Sequence, residues 1–380
     1  MKQDYRKLDI KTPYYIIDES ALVKNLEVLK SVMDRTGAKI LLAQKCFSMF
    51  KTYPLIKKYL AGATASGIFE ARLAHEEMKA ENHVFCPAYL DSEIDEIVDI
   101  CDHIVFNSFN QFYKFRDKVI NGGKSIGLRV NPECSTQVGH GMYDPCASGS
   151  RLGILKSEFV GKDLNGIEGL HFHTLCEQNS DDLETTLIAF EEKFGEYIDN
   201  LKWVNFGGGH HITRADYDIE RLVRLINDFR ARHNNIMVYL EPGEAVALNA
   251  GYMVGTVHDI VHNDIDIAIV DTSAACHMPD VLEVPYRPHI VDSGEFGEKA
   301  FSYRFGGATC LAGDIIGDYS FDKKLEIGDK IMLCDMAIYS MVKNNTFNGM
   351  PLPSIVIEHQ NGDVEIVKEF SYNDFKSRLS

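Results

Sequence analysis

The run Lys39-Ile40-Leu41-Leu42-Ala43-Gln44-Lys45 is a short apolar stretch that stops at a lysine. Seven more runs of this kind follow it: ATAS to Ser66, HVFCP to Pro87, HIVFNS around Asn107, SIGLRVN to Asn131, GLHFH to His173, WVNFG to Gly207 and MVYLE to Glu241. Brief apolar runs with polar ends are what strands buried on both faces look like. Amphipathic stretches separate most of them, such as Asp91 to Ile100, Asp181 to Ile198 and Tyr217 to Arg232. Eight alternating units predict an α/β fold, a (β/α)8 barrel of the TIM type with its site at the C-terminal strand ends. A doubly wound open sheet is the alternative. The Gly-rich run 132–166 predicts an extended loop. Before the barrel, Tyr14 to Ile17 is extended, and Asp18 or Ser20 can cap a helix carrying Leu22, Leu26 and Leu29 on one stripe.

From about Gly251 the texture changes. Tyr252 to Val261, Ile265 to Val270, Phe301 to Phe305, Ile331 to Cys334 and Pro353 to Ile357 are short and strand-like, with turns at Ile327-Gly328-Asp329 and Asn361-Gly362-Asp363. The expected organisation is a barrel over 20–250 and a C-terminal all-β domain over 251–380, joined by 1–19 as an added strand.

With 380 residues, 45% hydrophobic and 25% charged, the chain is long enough for a large globular domain and a smaller one. A net charge of −17 argues against a nucleic-acid partner, which needs a basic footprint, and is compatible with small cationic substrates. Nine cysteines, odd in number and without a CxxC pair, read as reduced thiols in a cytoplasmic protein. The polar start, Met1-Lys2-Gln3-Asp4-Tyr5-Arg6, does not read as a signal peptide. No apolar run approaches the ~20 residues of a membrane span.

Lys45 can be read two ways. At a strand mouth, burial would depress its pKa and free an amine to form an imine with an aldehyde cofactor such as pyridoxal phosphate. Equally, a lysine can snorkel from a strand end into water. Gly207-Gly208-Gly209 could let backbone N–H groups approach a phosphate, late in the barrel where phosphates are commonly held; a plain turn fits the triplet too. Glu241 could hold a pyridine nitrogen protonated, so that the ring stabilises a carbanion; an acidic residue before a turn is the plain alternative. His171 and His173 share a strand face. One could stack on a cofactor ring, and with Glu177 they could hold a metal, although no HExxH-type spacing supports one. His210 and His211 read as polar loop residues. Cys310, in a Gly-rich loop, is a reactive thiol or an inert packing residue. Tyr339 could donate to a phosphate or be an ordinary aromatic of the β domain.

In order, Ala43-Gln44-Lys45, Ser66 with Glu70, His173, Gly207 to Gly209, Glu241-Pro242-Gly243, Gly307 to Cys310, Tyr339 and Phe347-Asn348-Gly349 resemble the alanine-racemase-fold pyridoxal phosphate decarboxylases, which include ornithine and diaminopimelate decarboxylases. The resemblance spans nearly the whole chain. LHFHTLCEQ (Leu170 to Gln178), LEPGEA (Leu240 to Ala245), CLAGD (Cys310 to Asp314) and Thr346 to Gly349 are most similar to the branch that acts on carboxynorspermidine and carboxyspermidine.

That resemblance implies pyridoxal 5′-phosphate on Lys45, His173 stacked on its ring and Glu241 at its nitrogen. It implies a phosphate cradle from Gly209 and Gly243, with Tyr339 assisting, and it makes Ser66 and Gly208 further cofactor-binding residues. It implies a homodimer in which the second subunit's Cys310 protonates the α-carbon and Asp314 pairs across the dimer with Arg151. The implied reaction is decarboxylation of a polyamine carboxylate to norspermidine or spermidine; diaminopimelate, ornithine or arginine decarboxylation is the alternative. No metal is expected. Two departures bear on the substrate. The family usually has Arg after Glu-Pro-Gly; here Glu244 stands, which disfavours a second carboxylate and favours an amine. The family also has an acidic residue after the Cys; here it is Leu311. A distal ammonium must then be held elsewhere, with Glu244 and Asp280 the candidates, although Asp280 also fits a Pro-Asp turn.

Overall fold

Asp18 caps the first α-helix: its Oδ1 accepts from Ser20 N (2.8 Å) and Ala21 N (3.1 Å), so Asp18 and not Ser20 starts the helix Glu19–Thr36. The computed structural model describes residues 3–137 and 141–380. It divides into two units, Asn25–Val246 and Met1–Lys24 with Ala247–Ser380.

Strand β1 (Tyr14–Asp18) belongs to the second unit. The first unit is built on β2 (Lys39–Ala43), β3 (Gly62–Ala65), β4 (Glu81–Phe85), β5 (His103–Phe106), β6 (Ser125–Arg129), β7 (Ile167–His171), β8 (Trp203–Asn205) and β9 (Met237–Leu240). These strands pair in parallel, each with the next, and β9 closes on β2. The barrel read from the sequence is present, and the open sheet is not. Each strand stops one or two residues before its apolar run does, at the barrel's mouth. Ser108, Asn179 and Asp218 cap three of the barrel's helices. The run 132–166 holds short 3-10 turns at Gly141–Tyr143 and Lys156–Phe159; its residues 138–140 lie outside the described residues.

Trp203 fills the barrel with Leu41, Val105 and Tyr239. A Cβ at Gly127 or Gly169 would run into its indole, so two glycines on neighbouring strands supply the space that one large ring takes. Its Nε1 donates to Ser125 Oγ at 2.8 Å. At the barrel's N-terminal end Glu81 accepts from Lys39 Nζ (2.7 Å), His83 Nε2 (2.9 Å) and Tyr239 Oη (2.7 Å). Burial works to raise its pKa, but these donors outweigh burial and hold the carboxyl well below its usual range. His103 lies on His83, ring centres 3.9 Å apart. Among the described residues, Glu81, His83 and His103 are the group that could gather round a metal ion, yet their carboxylate is already taken by protein donors at the end of the barrel that serves stability.

The second unit's strands continue as β10 (Gly251–Asn263), β11 (Ile265–Val270), β12 (Phe301–Gly306), β13 (Ile315–Phe321), β14 (Lys330–Cys334), β15 (Ser354–Glu358) and β16 (Val364–Lys368). The sheet order is β13-β12-β11-β10-β1-β15-β16, with β14 also paired to β10. β1 runs antiparallel to β10 and parallel to β15. Tyr15, Met253, Tyr303, Phe305 and Leu333 are among its fully buried residues. Strands β13 and β16 escape the sequence reading: Gly317-Asp318 breaks the apolar run of β13, and β16 is an edge strand with exposed positions. The unit is also not purely β. Short helices occupy Ala274–His277, Asp280–Glu283 and Tyr372–Lys376. All nine cysteines are free. Among the described residues no helix is long and apolar enough to cross a membrane.

Candidate active site

Lys45 lies in the turn after β2, and its side chain is exposed. This corrects the expectation that burial acts on it. The turn itself is anchored by its buried neighbour. Gln44 Nε2 donates to Glu70 O (3.0 Å), and Gln44 Oε1 accepts from Tyr53 Oη (3.0 Å). Gly243 lets the Glu241-Pro242-Gly243 loop close on this turn, since a Cβ there would lie 2.5 Å from Cys46 Cβ. Ser66, after β3, is exposed, and its N–H donates to Glu70 Oε2 at 2.6 Å. A pocket of about 60 Å³ is lined by Lys45, Ser66, Arg129, His173, Gly208 and Glu241. A second, of about 470 Å³, shares Lys45, Arg129 and His173 and extends to Arg151.

Glu241 directly follows β9, one strand from Asn205 and two from His171. Asn205 Nδ2 donates to Glu241 Oε1 (2.7 Å), and His171 Nε2 lies 3.2 Å from Oε2. Burial opposes the charged form, but His171 and the other donors outweigh it and bring the carboxyl down to about 2. Glu241 is an anion at neutral pH. Burial lowers the pKa of His171, so its contact with Glu241 is that of a neutral ring donating from Nε2.

His173 stands two residues beyond β7, and its Nδ1 accepts the Gly208 N–H at 2.7 Å. That bond fixes the ring plane, and burial holds the imidazole well below its usual pKa. The Gly208 N–H is therefore spent on His173. The glycine triplet is required by space. Gly207 has φ +71 and Gly209 φ +80, and a Cβ on Gly209 would strike Leu175 O. Gly209→Ala is expected to cost about 1–3 kcal/mol through left-handed strain and overlap. Urea unfolding measures it; an unchanged midpoint means that the loop backbone relaxes freely.

Arg129, at the end of β6, was not singled out in the sequence. It is 5% exposed, packs 4.5 Å from the Phe85 ring centre and donates to His173 O at 3.3 Å. Burial lowers its pKa to about 10, still leaving it charged. An arginine inside the apolar run SIGLRVN was the available signal, as was the asparagine inside WVNFG.

Glu244 lines neither pocket; its Oε2 lies 3.6 Å from His211 Nε2. His210 Nε2 lies 3.3 Å from Phe206 O, and Glu177 is exposed, so these residues do not gather round a common point with His171 and His173. Arg151 is exposed. In the sheet unit, Cys310 is exposed in the loop between β12 and β13, and its N–H donates to Asn348 Oδ1 at 2.8 Å. Tyr339 has φ +45 and is half-buried. Asp280 and Glu283 both pair with Lys343. Asp314 is 3% exposed, and its carboxylate accepts from Ser273 Oγ (2.9 and 2.8 Å), Ala275 N (3.1 Å) and Thr309 Oγ1 (2.7 Å). These bonds organise its own chain around the Cys310 loop.

The model of the family described as pyridoxal-dependent decarboxylase, C-terminal sheet domain, matches residues 14–337. The chain belongs to the pyridoxal-dependent decarboxylases. A relative from Campylobacter jejuni, named carboxynorspermidine/carboxyspermidine decarboxylase, is 46% identical over 97% of this chain and 98% of its own. A carboxyaminopropylagmatine decarboxylase from Synechocystis is 38% identical over 98% of this chain and 97% of its own. The solved carboxynorspermidine decarboxylase of Campylobacter jejuni, complexed with norspermidine, superposes with a TM-score of 0.91 at 45% identity, covering 97% of this chain and all of that one (100%). The decarboxylase's cofactor is pyridoxal phosphate, and the residues fit it: an amine, a clamped imidazole and a nearly buried anion line one pocket together with Gly208.

Proposed function

We propose that this decarboxylase removes the α-carboxylate of carboxynorspermidine or carboxyspermidine in polyamine biosynthesis, as a cytoplasmic homodimer. The full-length 46% match to an enzyme of that name carries the reading. When bound, pyridoxal phosphate supplies the electron sink for the carbanion that CO2 loss leaves. Lys45 offers the amine that tethers it. His173 presents its ring face, held in plane by the Gly208 N–H. Glu241 keeps a proton at the ring nitrogen. The backbone at Gly209 and Gly243 takes the phosphate, with Ser66 and Tyr339 contributing. Cys310, entering from a second copy of the chain, returns a proton to the α-carbon, and Arg151 borders the entrance. Glu244 and Asp280 hold substrate ammonium groups, each by exchanging its present neighbour for one, His211 for Glu244 and Lys343 for Asp280. Glu244 in place of the family's arginine supports an aminated distal end over a carboxylated one.

Measured CO2 release from carboxynorspermidine and carboxyspermidine is expected to exceed that from diaminopimelate and ornithine by about 10²-fold or more in kcat/KM. Faster turnover of diaminopimelate or ornithine sinks the substrate assignment and leaves the decarboxylase standing. The Synechocystis relative favours one further substrate, carboxyaminopropylagmatine, which belongs in the same panel.

A further inference from the structure

Glu241 is the end of a chain of contacts that begins in the glycine loop. The Gly207 N–H donates to Asn205 Oδ1 (2.8 Å), Asn205 Nδ2 donates to Glu241 Oε1 (2.7 Å), and the Glu241 N–H donates to Gly207 O (2.7 Å). Asn205 is fully buried, so it closes a dry ring between the loop and the acid. On the other side His171, 2% exposed, faces Oε2 at 3.2 Å, and its buried Nδ1 has no partner. Nothing else is offered to that ring, so its one bond goes to Glu241.

We propose that Asn205 and His171 are positioning residues for the decarboxylation, which hold Glu241 as an oriented anion facing the cofactor's ring nitrogen. The proposal rests on the assignment of Glu241 to that nitrogen. The physical argument is one of supply. With only 11% of its side chain exposed, the Glu241 carboxylate has little water to stabilise its charge, so fixed donors must do so, and bonds to a charged acceptor are stronger than neutral ones. With one oxygen bound by an amide and the other by an imidazole, the carboxylate cannot rotate, and its remaining lone pairs keep one direction. The other titratable and charged groups felt by this acid are Arg129 of β6, His83 of β4 and His103 of β5. Arg129 supports the anion as a permanent cation. Burial keeps His103 and His171 neutral at neutral pH, so His171 acts as a dipole and not as a counter-ion.

Three variants test this. Asn205→Asp keeps the acceptor for the Gly207 N–H but turns the donor into a second carboxylate against Glu241. His171→Leu removes the other donor, and His171→Gln can replace it with an amide N–H. Two readouts besides turnover apply: the affinity of the cofactor-stripped chain for pyridoxal phosphate, by equilibrium dialysis, and the acid-side pH midpoint of the bound cofactor's absorption. Asn205→Asp and His171→Leu are each expected to weaken pyridoxal phosphate binding about tenfold, to move that midpoint up by about one unit and to lower kcat more than they change KM. His171→Gln restores most of each loss. Parent-like affinity and midpoint in folded Asn205→Asp and His171→Leu overturn the proposal. Should His171→Leu fail to fold, the isosteric Asn205→Asp decides alone. A fully active Glu241→Gln sinks the assignment beneath; an impaired Glu241→Gln beside an undisturbed Asn205→Asp sinks only this inference.

Discussion

Replacing Lys45 by alanine is expected to abolish decarboxylation while leaving the chain folded. Lys45 is exposed, and its turn is held by the buried Gln44, so thermal melting should change by no more than about 0.5 kcal/mol. The purified variant should lack the visible absorption of covalently held cofactor, and CO2 release should fall by on the order of 10³-fold or more, as when other nucleophiles are removed. Lys45→Arg separates charge from chemistry. A guanidinium keeps the cation but is not a nucleophile at working pH, so this variant should be equally inactive. If Lys45 were only a snorkelling lysine, both variants would turn over at parent rates with parent colour.

Glu241→Gln should retain bound cofactor, through Lys45 and the glycine loop, yet lose about 10²-fold in kcat, the value of one or two charge-assisted contacts. The substitution is sterically mild. Asn205 can still donate to the new amide oxygen, and His171 can shift its proton to the unpartnered Nδ1 and accept at Nε2. Loss of rate would then report the missing charge and not a broken pocket. The pair also leaves a trace in stability. The Glu241 carboxyl sits at about 2 in the fold, below its unfolded value, so its contribution is fully present above the ordinary carboxylate range and is lost as pH falls toward 2. Acid titration of stability should therefore be shallower in Glu241→Gln than in the parent. An unchanged kcat removes Glu241 from the chemistry.

The barrel was readable because parallel strands covered on both faces must be apolar throughout, and each such run stops where its side chains reach the open mouth. For the same reason Lys45, His173, the glycine triplet and Glu241 stood out, each at or just past the end of a run. Arg129, Asn205 and the tie from His171 to Glu241 did not. A polar residue inside a strand looks like an interruption until its partner is known, and the partners lie on β7, β8 and β9, up to 70 positions apart. Strand β13 was hidden likewise. Asp318 looks like a break in the run, yet it faces Arg304 of β12 with two bonds of 2.7 and 2.8 Å.

By itself, the order of residues determined the alternation of strands and helices, the ends at which chemistry-bearing side chains collect, and the family to which they point, because these depend on local polarity and spacing. Closure of the barrel decided the rest. Only pairing in space makes Asn205 and His171 the two hands on Glu241, spends the Gly208 N–H on His173 and leaves Lys45 exposed. Those outcomes depend on which donor lies within three ångströms of which acceptor, a matter of strand neighbours and excluded water that no linear spacing encodes.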